Sequence, residues 1–319
     1  QKNWKNNQRW ALSPLKILEW NLEGISRMNP FIRIFEVGPR DGLQNLPFVP
    51  STEDKIHLIQ LLRDAGLDHI EIASFVHPKA VPNMADAEEI CDAFDDKEGF
   101  SVLVPNQRGL DRAKDSGMDR YNIFFSPVES FNIANYGLKM KQILDNYEKC
   151  LQGIPRESIR VYLSEAFDAN NEDLAIAVQH GLRFGKTIVL CDTKGTAQPY
   201  DIASGIDTAH EFTVDLALHL HHGKHLMNNV AIGYENGVRE FDSSIGGLGG
   251  CPFVEGSGAN LATEDLVKWC EKSGIDCGLK YSDLKKARRL AHKIKNPTLR
   301  VAAKNKFNET KNRVKAVWN

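Results

Sequence analysis

The sequence predicts an α/β protein, a (β/α)8 TIM barrel with extra C-terminal helices, on three observations. Short runs rich in Ile, Val, Leu, Phe and Tyr recur at strand length, and a stretch with helical apolar period comes after each one. Eight such pairs fit into roughly 250 residues, which is the length of this barrel. The first strand–helix loop lacks the G-x-G-x-x-G fingerprint that a doubly wound open sheet would carry there.

Residues 32–37 read as the first strand. Residues 51–65 read as a helix, with Ile56, Leu58, Ile59, Leu61 and Leu62 on a helical period and Gly66 as the stop. Strands are then expected at 69–74, 101–105, 122–126, 160–163, 187–191, 215–219 and 239–243. Helices are expected at 84–94, 107–116, 138–151, 172–184, 200–211, 226–236 and 263–273, with Asn236-Gly237 and Ser273-Gly274 as further stops. The Lys/Arg/Leu/Ala-rich stretch 281–295 predicts one or two helices packed outside the barrel. The division expected is an extension over 1–27, the barrel over 28–275 and a helical tail over 276–319.

Composition narrows the function. Of 319 residues, 42% are hydrophobic and 26% charged, the balance of a soluble globular protein. No apolar run approaches the ~20 residues that would cross a bilayer, so no membrane partner is expected. The formal charge is −2 and the basic residues are scattered, so no nucleic-acid partner is expected either. Six dispersed cysteines without a CxxC pair point to reduced thiols in a cytoplasmic setting. Met28 is read as the natural start. A transit peptide over 1–27, and with it the mitochondrial matrix, is the alternative, although Glu19 and Glu23 argue against it.

Catalytic residues of such a barrel sit where strands end. After strand one comes Glu36-Val37-Gly38-Pro39-Arg40-Asp41-Gly42-Leu43-Gln44-Asn45, polar and turned by glycine and proline. At strand seven, His219 and His221 alternate onto one face and His222 onto the other. Paired imidazoles there suit a divalent metal better than a mere hydrogen-bonded pair. After strand eight, Cys251 tips the glycine-rich loop Gly246-Gly247-Leu248-Gly249-Gly250, a lid able to bring a proton donor to substrate. Asn260, before a helix start, is either a cap or an oxygen ligand. Asp41, His219, His221 and Asn260 offer two oxygens and two nitrogens without a thiol, which favours Mg2+ or Mn2+ over structural zinc. Two histidines and a carboxylate also match a non-haem Fe(II) triad, which stays as a rival.

The motif from Glu36 to Asn45 resembles the opening motif of the 3-hydroxy-3-methylglutaryl-CoA lyase family, within the DRE-TIM metallolyases. Gly247-Leu248-Gly249-Gly250-Cys251-Pro252-Phe253 resembles its cysteine loop. Gly258-Ala259-Asn260-Leu261-Ala262-Thr263-Glu264-Asp265-Leu266 is similar to the family's next segment. The resemblance implies retro-Claisen cleavage of an acyl-CoA thioester on a metal held by Asp41, His219, His221 and Asn260. It implies that Arg40 polarises the thioester carbonyl and Cys251 transfers a proton. Glu71 and Asp192 match supporting acidic positions, Gln44 and Ser74 fall on the substrate side, and Glu36 supports the others from behind. A homodimer is the expected assembly, and a Claisen-condensing synthase is the nearer rival. Three rim segments depart from the family: His222-Gly223-Lys224-His225, Ser164-Glu165-Ala166-Phe167-Asp168, and Lys194 where an apolar residue is expected. They bear on which acyl group is accepted.

Overall fold

The computed structural model describes residues 30–249 and 258–296. Eight strands are β1 (Arg33–Glu36), β2 (His69–Ser74), β3 (Phe100–Leu103), β4 (Tyr121–Phe125), β5 (Ile159–Leu163), β6 (Thr187–Asp192), β7 (Leu216–Leu220) and β8 (Glu240–Ser243). Each pairs in parallel with its neighbour in sequence, and β8 pairs back onto β1, with Arg33 opposite Glu240 and Glu36 opposite Ser243. The barrel is closed, as the strand–helix rhythm predicts.

The helices are α1 (Thr52–Asp64), α2 (Ala87–Asp92), α3 (Gln107–Asp115), α4 (Glu129–Tyr136), α5 (Met140–Cys150), α6 (Asn171–Phe184), α7 (Pro199–His210), α8 (Leu226–Glu235), α9 (Thr263–Ser273) and α10 (Lys285–Lys295). Ser51 caps α1 by accepting from the Asp54 amide, and Gly274 ends α9 in the left-handed region at φ 66°. The sequence pattern missed α4, because Glu-Ser-Phe-Asn-Ile-Ala-Asn-Tyr holds two asparagines and stops at Gly137. It forms because Phe131 finds a buried seat. Of the tail, α10 packs on α1 and on the short turn Ile245–Gly247. None of the described helices is long and apolar enough to cross a membrane.

The apolar core is the ring between strands and helices, where residues such as Ile59, Leu62, Ile70, Val161, Ile188 and Leu218 are fully buried. The barrel's centre is different. Arg160 on β5 reaches across to Asp242 and Glu240 on β8, and Asn122 on β4 reaches Glu71 on β2. These strands are not neighbours, so the bonds cross the lumen. A small apolar group, Tyr162, Val189, Cys191 and Ala217, lines the β5–β7 side.

Candidate active site

The chain leaves β1 through one wide turn, Gly38–Gly42, in which the Gly42 amide donates to the Val37 carbonyl. Gly42 is required there, because a Cβ would lie 2.8 Å from both Leu248 Cβ and Ser244 Oγ. The turn swings Arg40 and Asp41 into the barrel mouth. A second device fixes the loop beyond it: buried Asn83 donates through Nδ2 to the carbonyls of Leu43, Gln44 and Leu46. Lys55, itself fully buried, holds the Asn83 carbonyl at 2.6 Å and pairs with Asp86.

Glu36 lies beneath the turn. Its carboxyl accepts from the amides of Gly38 and Ile245 and from Thr263 Oγ1, tying the first loop to the last. Burial outweighs these bonds and pushes its pKa from 4.5 to about 7. The folded chain therefore keeps a proton that the unfolded chain has already released. Stability is expected to fall as pH rises through the 4.5–7 window. Glu36→Gln, whose amide serves the same partners, should flatten that decline in urea titrations across the window. An unchanged pH slope in the variant would assign the decline to other groups.

Arg40 is 6% exposed, and its Nε donates to Glu71 Oε2 at 2.5 Å while Nη1 donates to Asp41 Oδ1 at 2.8 Å. Asn122 satisfies the other Glu71 oxygen. Burial raises the Glu71 pKa against the pull of Arg40 and Asn122. Burial also opposes ionisation of Asp41, but Arg40, His219 and His221 prevail and hold it below the usual carboxylate range. Gln44 Nε2 donates to Asp41 Oδ1 at 2.9 Å and Asn260 Nδ2 to Oδ2 at 2.7 Å.

At the end of β7 the His219 and His221 Nε2 atoms face each other at 3.0 Å. His219 Nδ1 lies 3.0 Å from Asp242 Oδ2, so its proton sits there and the Nε2 lone pair is turned to the mouth. Asp242 is held in turn by Arg160 at 2.5 Å. Burial, helped by His219, lowers the His221 pKa to about 4, so this ring is neutral. Asp41, His219 and His221 each present a ligand atom within 4.8 Å of the others. Asn260 is bridged to His221 through the main chain, and its buried Oδ1 has no hydrogen-bond partner. A Cβ on Gly249, at φ 114°, would sit 2.4 Å from Asn260 Nδ2, so the glycine lets the amide in. An orphaned amide oxygen beside a low-pKa carboxylate and two imidazoles fits a divalent cation.

The remaining expected residues are more scattered. Ser74 Oγ, at the end of β2, is buried without a partner. Asp192 is not joined to this cluster by any hydrogen bond; its carboxylate receives the amides of Thr196 and Ala197 within its own loop. Burial raises its pKa. Cys251 lies outside the described residues. On the rim, Lys194 pairs with Glu165 and Asp168, each at 3.1 Å, and Glu165 has φ 53°. His222 is exposed, whereas the paired rings before it are buried. Accordingly, His222→Ala is expected to leave bound metal unchanged by elemental analysis; loss of the metal would make it a ligand. Sequence reasoning missed Asp242 and Arg160. Their signal is a charge at an inward register within a strand.

A closed parallel barrel whose mouth gathers a carboxylate, two imidazoles and an amide beside a buried arginine defines a (β/α)8 enzyme with a site suited to a divalent cation. Similarity to known proteins narrows the class. The HMGL-like family model matches residues 31–291, and the chain belongs to that family. It is 35% identical over 268 residues to hydroxymethylglutaryl-CoA lyase YngG of Bacillus subtilis, covering 79% of this chain and 89% of that protein. It is 31% identical over 277 residues to the (R)-citramalyl-CoA lyase of Chloroflexus aurantiacus, covering 79% and 87%. Among solved structures, an HMG-CoA lyase from Acinetobacter baumannii in complex with coenzyme A and 3-methylmalate superposes with a TM-score of 0.79 at 31% identity, covering 83% of this chain and 91% of that one.

Proposed function

We propose that the protein cleaves 3-hydroxy-3-methylglutaryl-CoA to acetyl-CoA and acetoacetate. The observation that carries this reading is the position of Arg40, a fully charged guanidinium locked by Glu71 and Asp41 against the two-histidine cluster. Retro-Claisen cleavage breaks the Cα–Cβ bond and leaves negative charge on the thioester oxygen. A preorganised buried cation is what stabilises that charge. The relatives' names support the substrate class. A citramalyl-CoA lyase among them keeps a related 3-hydroxyacyl-CoA as the second reading, favoured by the rim departures at Lys194 and Glu165.

Asp41, His219, His221 and Asn260 would hold a divalent cation, Mg2+ or Mn2+. When bound, such an ion makes a tertiary hydroxyl easier to deprotonate and steadies the adjacent oxygens. Glu71 and Asp41 fix the plane of the Arg40 guanidinium, and Gln44 and Asn260 fix Asp41. Asp242 and Arg160 set the His219 tautomer. We assign uptake of the hydroxyl proton to Asp192, whose ionised form is disfavoured by burial. Ser74 Oγ is free to hydrogen-bond to substrate. Cys251, on the glycine loop, returns a proton to the new carbon terminus.

The direct test is acetyl-CoA release from a panel of 3-hydroxyacyl-CoA thioesters. No release from any member would overturn the lyase reading, and release from citramalyl-CoA alone would select the second. In the same assay Cys251→Ser is expected to cut turnover by about 10²-fold or more with KM little changed, because a serine hydroxyl is a far weaker acid. Bound metal should stay the same. Near-equal turnover would make Cys251 a bystander.

A further inference from the structure

Asn83 lies in the short turn Pro82–Met84 between β2 and α2, and its side chain is given over to a different loop. Nδ2 donates to the carbonyls of Leu43 at 3.0 Å, Gln44 at 3.2 Å and Leu46 at 2.9 Å, all in the segment that follows Asp41. The amide has only two hydrogens, so at least one is shared, and the grip depends on where the Asn83 main chain stands. Lys55 on α1 sets that place. Its fully buried ammonium gives its hydrogens to the Asn83 carbonyl at 2.6 Å and to the two Asp86 carboxylate oxygens at 2.7 and 2.9 Å. Thr52 Oγ1 donates to the same carboxylate at 2.8 Å. A buried ammonium is tolerated only when paired and hydrogen-bonded in this way. Helix α1, the Pro82–Met84 turn and the loop after β1 are thereby held as one unit.

We infer that Asn83 is a positioning residue for the cation site: it fixes the main chain of Gln44, and Gln44 fixes the face that Asp41 shows to the histidines. This role rests on the reading of Asp41, His219, His221 and Asn260 as the ligands of a divalent cation. Asp41 Oδ1 accepts from Gln44 Nε2 at 2.9 Å and from Arg40 Nη1 at 2.8 Å. With both donors on Oδ1, Oδ2 is the oxygen turned to His219 Nε2, 4.0 Å away. Gln44 is half-buried, so packing alone does not pin its side chain, and its reach to Asp41 depends on where its main chain is held. Groups that orient a metal ligand from behind contribute roughly 10–100-fold to metal affinity. Asn83 acts one step further back, through the glutamine.

The test is Mn2+ binding to the full chain after treatment with a chelator, with the free ion followed by electron paramagnetic resonance. Wild type, Asn83→Ala, Gln44→Ala and the double variant are compared, and Tm is read on the same samples. Each single variant is expected to weaken Mn2+ binding by about 10-fold or more. Because both act along one path, the double variant should bind Mn2+ like Gln44→Ala, within about 2-fold. A general loosening of the fold would instead multiply the two losses. If Asn83→Ala does not fold, Asn83→Ser takes its place, since a single hydroxyl hydrogen cannot serve three carbonyls. Mn2+ affinity in the Asn83 variant equal to wild type, or losses that multiply in the double variant, would overturn the role of Asn83 alone. Wild type that takes up no Mn2+ would remove the cation site itself, which separates the two failures.

Discussion

Replacing His219 with alanine is expected to remove both bound divalent metal and at least about 10³-fold of the lyase turnover. The ring supplies the Nε2 atom that faces His221 at 3.0 Å and Asp41 at 4.0 Å, and alanine has no donor to put in its place. The fold should tolerate the change. Asp242 loses one partner but keeps the Arg160 guanidinium, so the loss of stability should stay within roughly 1–3 kcal/mol. Metal content, turnover and Tm measured on the same preparation separate the two effects. Wild-type turnover that survives exhaustive chelation, or a variant that keeps its metal, would take the cation away from the end of β7.

Arg40→Gln is the second large effect, and here catalysis and stability fall together. Turnover should drop by about 10³-fold or more, because the developing thioester charge loses its cation. The fold should also lose about 3–5 kcal/mol, because fully buried Glu71 loses its partner and must stay charged without it or take up a proton. The double variant Arg40→Gln, Glu71→Gln distinguishes them. It removes the stranded charge and should recover most of the stability while turnover stays low. If turnover returned with stability, Arg40 would be structural and the charge-stabilising role would have to move elsewhere.

What the sequence makes legible varies with the physics involved. The barrel is legible because strands such as Ile-Val-Leu-Cys at 188–191 are apolar enough to be buried on both faces, and Leu58, Ile59 and Leu62 repeat at the helical period. Its closure is implied only by counting pairs. Arg40, Asp41, His219 and His221 stand out because charge and imidazole at strand ends have no packing purpose. The supporting charges do not. Asp242 is a carboxylate inside a strand, and its purpose depends on Arg160, 82 positions away and across the lumen. Lys55 and Asn83 are similar: a lysine on an amphipathic helix reads as solvated, and only the folded chain shows it buried on an asparagine carbonyl. The pattern reports local period well and reports nothing about which distant polar group will be met.

The lumen of this barrel is held by ions, while the apolar ring outside the strands carries the packing. One consequence concerns how the protein can diverge. Residues on the outer rim, away from Arg40 and the cluster of Asp41, His219 and His221, contribute little to holding the staves together, so they can be exchanged without loosening the cask. Lys194 and Glu165 sit in that permissive zone, whereas Arg160, shared by Asp242 and Glu240, sits below it as a keystone. New acyl preferences should therefore arise by changes above the keystone, and a change at the keystone should cost the lineage both its shape and its chemistry.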